Sequence, residues 1–422
     1  MKKFFTIIVG GILCLSIFLM FSFSAVAQQS TADSWPMFRN DLTHSGYSTS
    51  VGPRTNQTLW KFTTDGQVWS SPAVFGGLVY VGSNDNKLYA LNATTGAPVW
   101  DFTTGGWVES SPAVADGAVY VGSFDHNVYA LNESTGVQLW HFTTGSDVDS
   151  SPAVANGIVY IGSFDNKTYA LNAITGDLLW SFKTGYDECC QPSPAVADGV
   201  VYVGASAPYP NSVNYHHYIY ALNATSGASM WNYTIGNGVY SSPTISDGIL
   251  YLGSYDDRVY ALNAATGVQI WNYTTGSYVY SSPAVANGIV YIGSFDNQIY
   301  ALNGQTGSLI WNYTTGGNVY SSPAVAGGLV YVGSTDDGVY ALNAATGALV
   351  WSYRTGSDVY SSPAVSNGVV YIGSYDNNVY AFGSTASQSS TPVTTYYVTA
   401  ATVIIIIVII AVVVVVLRKR RK

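Results

Sequence analysis

The chain has 422 residues, of which 9% are charged, with 24 Asp and Glu against 15 Lys and Arg and a formal charge of −9. Seven of the basic residues sit at the two extreme ends, so the long segment between them holds eight against 24 acidic ones, a formal −16. That balance excludes a nucleic-acid partner, whose binding is driven by Lys and Arg neutralising phosphates.

Residues 1–27 read as a secretory signal peptide. Lys2 and Lys3 precede an apolar run to Phe23, and Ala25-Val26-Ala27 offers a small-residue cleavage site. An uncleaved anchor is the alternative. Residues 28–56 form an N-terminal strap around SWPMFRNDLTHSGYS at 34–48.

From residue 57 to 382 one sentence of about 40 residues is spoken eight times. Marker prolines recur at Pro72, Pro112, Pro152, Pro194, Pro243, Pro283, Pro323 and Pro363. Marker tryptophans recur at Trp60, Trp100, Trp140, Trp180, Trp231, Trp271, Trp311 and Trp351. A fixed period of this length means an array of one supersecondary unit. In the copy at 110–145, SSPAV, AVYVGS, NVYALN and VQLWHF read as four short strands separated by turns at Asp116-Gly117, Phe124-Asp125-His126 and Thr135-Gly136. Four antiparallel strands per repeat predict propeller blades, with the small-residue first strand innermost. The last copy stops after its third strand, and the missing fourth, Thr58–Thr63, lies at the other end of the ring sequence. The expected fold is therefore an all-β, eight-bladed propeller closed by an N-terminal strand, which removes its open edge.

Residues 383–395 read as a polar linker. Residues 396–417 carry no charge and precede RKRRK at 418–422. About 20 uncharged apolar residues suffice for a helix to cross a bilayer, and a basic tail stays cytoplasmic. The expected location is the cell membrane, single-pass, with the propeller extracellular. Sequons beginning at Asn56, Asn92, Asn132, Asn166, Asn223, Asn232, Asn272 and Asn312 suit a glycoprotein, although Asn and Thr are also ordinary turn and strand residues here.

The repeat breaks in its fourth copy. Two extra residues make the loop Tyr186-Asp187-Glu188-Cys189-Cys190-Gln191, and nine more extend the segment 205–218, which carries His216 and His217. Strand alternation places both loops on one face, so Glu188, His216 and His217 are expected on the rim of the irregular blade. With Cys14 in the signal peptide, Cys189 and Cys190 have only each other in an oxidising compartment. A vicinal disulfide is favoured over two free thiols, and a metal site shared with the histidines is the further alternative.

On the same face, the residue three before each marker proline is expected to enter the central funnel. Around the ring these are Trp69, Glu109, Asp149, Gln191, Tyr240, Tyr280, Tyr320 and Tyr360. A funnel half aromatic and half acidic suits a sugar, a cationic ligand or a bound cation; side chains that merely cap a solvent-filled channel are the alternative. The recurrent Asp85, Asp125, Asp165, Asp256, Asp296, Asp336 and Asp376 read as turn residues.

The segments YALNATTGAPVW at 89–100, YALNAATGVQIW at 260–271 and YALNAATGALVW at 340–351 resemble the repeat of the pyrroloquinoline-quinone-binding-like propellers. That family includes the quinoprotein alcohol dehydrogenases and the lipoprotein propeller of the outer-membrane assembly machine. The resemblance implies that each repeated Trp docks its blade to the next. At Asn92, Asn132, Asn172, Asn223, Asn263, Asn303 and Asn343 this chain has Asn where the family pattern has Asp. Some quinoprotein dehydrogenases set a vicinal disulfide against their cofactor, which would give Cys189-Cys190 a role. Against an enzyme stand the short loops, the lack of a matching calcium-binding set and the scarcity of bases within the repeats, namely Lys87, Lys167, Lys183, Arg258 and Arg354. The expected function is a non-catalytic binding or scaffolding module at the cell surface, taking a surface protein or glycan and needing no cofactor. The alternative is an oxidoreductase holding pyrroloquinoline quinone with calcium. A surface-layer or adhesion element with a flat binding face is a third reading.

Overall fold

In blade 2 the inner strand Ala113–Ala115 is followed outward by Ala118–Gly122, Asn127–Asn132 and Gln138–Thr143. Val, Tyr and Leu at these positions fit a pleated, buried surface. Asp116 and Gly117 both take positive φ, 51° and 81°, which gives the tight turn that a twisted hairpin needs. The inner ladder is shorter than SSPAV. Pro112 has no N–H to give it, and Ser110 and Ser111 send their hydrogen bonds to the neighbouring blade instead.

The computed structural model describes residues 33–185, 192–205 and 217–384. The expected signal peptide, residues 186–191 and 206–216, most of the expected linker and the expected membrane span at 396–417 fall outside these residues. Among the described residues no helix is long and apolar enough to cross a membrane. Eight four-stranded antiparallel sheets repeat the blade 2 pattern, and the strap adds one short strand to blade 7. Thr58–Thr63 pairs antiparallel with Asn378–Phe382 and completes blade 8, closing the ring as its sequence predicts.

Neighbouring blades are tied in three layers. On the outside, the indole of Trp100 donates to the carbonyl of Glu133, Trp140 to Ala173 and Trp271 to Gly304, each in the following blade. Gly136 lies flat beneath Trp100, where a Cβ would strike the ring, so the Thr-Gly signature is the seat for the preceding blade's Trp. Blade 8 has no such turn of its own, and the strap substitutes: Trp351 and Tyr331 both donate to Pro53 O at 3.0 Å. The docking implied by the family resemblance is what the ring uses. Tyr251 also donates to Gly304 O, at 3.1 Å. Tyr251→Phe should therefore cost only about 1 kcal/mol, because Trp271 still satisfies the carbonyl. A loss above about 2 kcal/mol in chemical denaturation would contradict that sharing.

In the middle layer the repeated Asp does more than cap its turn. Asp125 accepts its own Asn127 N–H at 3.0 Å. It also accepts Tyr129 Oη at 2.7 Å and the Gly105 N–H, in the connection between blades, at 2.6 Å.

The inner layer is a closed belt. The backbone N–H of Ser71 donates to the Ser111 hydroxyl, that of Ser111 to Ser151, and so on through Ser193, Ser242, Ser282, Ser322 and Ser362. The Ser362 N–H returns to Ser71, and all eight bonds measure 2.9–3.0 Å. The Ser before each marker proline is thus a ring-closing acceptor as well as a small residue.

The strap threads along the inner strands. Strap carbonyls of Pro36, Leu42, Thr43, Ser45 and Gly46 accept the N–H groups of Val114, Val196, Ile245, Val285 and Val325, and Trp35 bridges Val74 in both directions. These are donors on the innermost strand edges, which would otherwise face the axis unpaired. Asp41 shapes the strap by accepting the N–H groups of Thr43 and Ser45 at 3.0 and 3.1 Å. Buried Arg39 points its guanidinium at the carbonyls of Pro283 and Pro323. Buried His44 meets Pro243 O at 3.1 Å. The channel through the ring is therefore stopped from the strap side.

Candidate functional site

The residue three before a marker proline ends a loop that enters the inner strand, at the mouth of the channel. Seven of the eight predicted funnel residues line one cavity there: Trp69, Glu109, Asp149, Tyr240, Tyr280, Tyr320 and Tyr360. Below them lie the hydroxyls of the serine belt, and Phe38 of the strap provides the floor. The cavity holds about 560 Å³, part of it open to solvent at the mouth. It is a blind cup rather than a through-channel.

The aromatic side of the cup is continuous. Trp69 lies 4.8 Å from Tyr360, Tyr360 4.7 Å from Tyr320, Tyr320 5.1 Å from Tyr280, and Tyr280 5.7 Å from Tyr240 by ring centroids. A second layer holds the first in place. Tyr375 packs 4.4 Å from Tyr360, Phe295 4.1 Å from Tyr320 and Tyr255 4.2 Å from Tyr240. These residues come from the loop between second and third strands, where Phe124 and Phe164 occupy the equivalent positions. Sequence reasoning missed this layer, although the signal was present as an aromatic at one fixed offset after the Gly-Ser of the second strand.

The acidic side faces that arc. Glu109 accepts Asn84 Nδ2 at 2.9 Å. Burial first, and then the neighbouring Asp149 charge, push the Glu109 carboxyl well above the usual range, against the lowering effect of Asn84. Asp149 is also raised, by burial and then by Asp147, and Asp147 itself contacts His126 at 3.1 Å. Among the described residues no basic side chain lines the cup. Three of the five bases of the repeats pair elsewhere: Lys87 with Asp101, Lys167 with Asp165 and Arg354 with Asp337.

Of the remaining predicted residues, Glu188, Cys189, Cys190, Gln191 and His216 lie outside the described residues. His217 is described; it opens the third strand of blade 4, is buried, and pairs in register with Ile235. It is not part of the cup lining. Among the described residues no cluster of three or more His, Cys, Asp or Glu is placed to hold a metal ion. Of the sequons, Asn166 is buried, whereas Asn232, Asn272 and Asn312 are exposed on outer strands.

The family model for the outer membrane protein assembly factor BamB matches residues 45–181, 124–213 and 314–389, more than half of the chain. The chain belongs to that family. Nothing among curated proteins matches it in sequence. Among solved structures the BamB-family chain is similar to BamB from Moraxella catarrhalis, at 17% identity and a TM-score of 0.66, covering 78% of this chain and 99% of that one. A europium-containing methanol dehydrogenase superposes with a TM-score of 0.72 at 15% identity, over 83% of this chain and 98% of that one. The quinohemoprotein alcohol dehydrogenase from Comamonas testosteroni gives a TM-score of 0.72 at 16% identity, over 85% and 81%. At such identities the likeness shows the eight-bladed fold, which this BamB-family chain shares with an assembly factor and with dehydrogenases alike.

Proposed function

We propose that the protein is an extracellular binding or scaffolding module, exported by residues 1–27 and held in the membrane by residues 396–417. The observation that carries this reading is the cup: a blind, preformed cavity on one face of a rigid ring, lined by contiguous aromatics opposite two half-buried carboxyls. Concave sites with apolar walls and a few polar groups are where small ligands and side chains bind. The ring also offers a scaffold's circumference. The residue before most marker tryptophans is aliphatic and exposed, as at Val99, Leu139, Leu179, Met230, Ile270 and Ile310, and repeated apolar exposure of this kind suits protein contacts.

Pyrroloquinoline quinone, which the dehydrogenase neighbours suggest, does not fit the cup. A tricarboxylate would have to be buried beside Glu109 and Asp149 with no basic side chain among the described lining residues, and like charges in a low-dielectric site repel strongly. We therefore derive no chemical step from that cofactor.

The test uses the full chain in detergent, probed with glycan arrays and with the surface proteins of its own cell. Substituting Glu109, Asp149 and Gln191 together by Ala should abolish capture of the ligand so found while leaving the melting transition at least as high. Undiminished capture by the triple variant would remove the cup from the function.

A further inference from the structure

We infer that the cup binds an organic cation, an alkylammonium or methylated ammonium group, seated between the aromatic arc and the Glu109–Asp149 pair. The inference rests on the binding-module reading and gives that module a ligand class.

Three observations lead to it. First, Trp69, Tyr360, Tyr320, Tyr280 and Tyr240 form an unbroken arc, fixed from behind by Tyr375, Phe295 and Tyr255. Aromatic faces around a cavity attract a cation through their quadrupoles, most effectively where water is excluded. Second, the opposite wall carries two carboxyls on adjacent blades and, among the described residues, no base. The groups facing Glu109 are Asn84, Asp149 and Tyr375, and the charged group facing Asp149 is Asp147. None of these supplies a positive charge, so the only charge this wall can take on is negative. Third, the strap closes the far end with Phe38, so a ligand enters a dead end and loses its water there.

The chemistry selects the size and kind of cation. A metal ion would exchange hydration oxygens for ring faces, and the described residues offer no cluster of three ligating side chains. An ammonium head keeps its charge diffuse and presents C–H and N–H groups that suit aromatic faces on one side and carboxylates on the other. The raised carboxyls also couple binding to protons: a bound cation favours their ionised forms, so each binding event releases protons and affinity rises with pH.

The experiment is isothermal titration of the full chain in detergent at pH 7.5, in two buffers of different ionisation heat. The probes are tetramethylammonium, choline and butylammonium, with 3,3-dimethylbutanol as the neutral isostere of choline and calcium as the inorganic control. We expect at least one ammonium to bind at least tenfold more tightly than the neutral isostere, with proton release. Choline against butylammonium then tells a methylated head from a primary amine. Glu109→Gln with Asp149→Asn should lower affinity at least tenfold, and Tyr320→Leu severalfold, with the ring still folded by its melting transition. Equal binding of the isostere, tighter binding of calcium, or affinity unchanged in the Glu109/Asp149 variant would each overturn the inference. If no ammonium binds but another ligand depends on the cup, the binding-module reading survives and only its ligand class fails. If nothing the chain captures depends on the cup, the reading itself fails.

Discussion

Arg39→Ala is expected to destabilise the ring by roughly 3 kcal/mol, the low end for stripping one partner from a buried charged contact. The guanidinium is almost wholly buried, and it donates to Pro283 O at 2.5 Å and to Pro323 O. Burial pushes its pKa down to about 9, partly countered by Asp41, so it is still charged at neutral pH. Removing it leaves inner-strand carbonyls of blades 6 and 7 facing a dry axis, although Thr244 still serves Pro283 O at 2.7 Å. Arg39→Lys should recover part of the loss. An ammonium can reach one carbonyl but cannot fork across two. For a ring this size the melting transition should fall by roughly 5 °C in the Ala variant and by less in the Lys variant. Calorimetry showing both variants melting like the wild type would mean that the strap does not hold the inner strands together. Gly46 adds a second handle. It has a φ of +60° and sits against the guanidinium, so any side chain there would both strain the backbone and displace Arg39.

The parts of this architecture that repeat were legible, because a residue's place within the repeat fixes its place in the blade. The marker prolines and tryptophans counted eight blades, and Thr58–Thr63 was readable as the missing strand because its Trp60 falls in phase. The funnel positions followed from the same logic, and seven of them do meet at the cup. What stayed hidden were contacts made between copies or by sequence that does not repeat. In one repeat Ser111 is only a small residue; the belt exists because ring curvature brings the next copy's hydroxyl to its N–H. The strap has no period, so nothing in it announced that Arg39, Asn40 and His44 would take positive φ, at 61°, 77° and 57°, to fold it into the channel. Thr244 stands where the other copies have Ala, and its hydroxyl lies 3.1 Å from His44 O of the strap. That single exception in an otherwise uniform column was visible, and its meaning required the strap's path.

Glu109→Gln is expected to flatten the protein's stability profile between about pH 4.5 and 8. In the folded ring the carboxyl is pushed up from its ordinary value to about 8, by burial and then by Asp149. Below about pH 4.5 the group is protonated whether the chain is folded or not, and the ring is not penalised. As pH rises, the unfolded chain ionises freely while the folded one resists, so stability falls until about pH 8 and then levels off. Each pKa unit is worth about 1.4 kcal/mol. With the cup's residual solvent access discounted, the loss is roughly 3 kcal/mol. Gln keeps an oxygen for Asn84 to bond and carries no charge, so the variant should match the wild type at pH 4 and be the more stable protein at pH 8.5. Thermal melts of both proteins across that range, in low salt, measure the difference directly. Parallel profiles would show that the carboxyl is not desolvated in the cup. The predicted gain is itself an argument about function. A side chain whose removal stabilises the fold is retained for something other than folding. A cation in the cup would cancel its cost, so saturating ligand should raise the wild type at pH 8.5 by more than it raises Glu109→Gln.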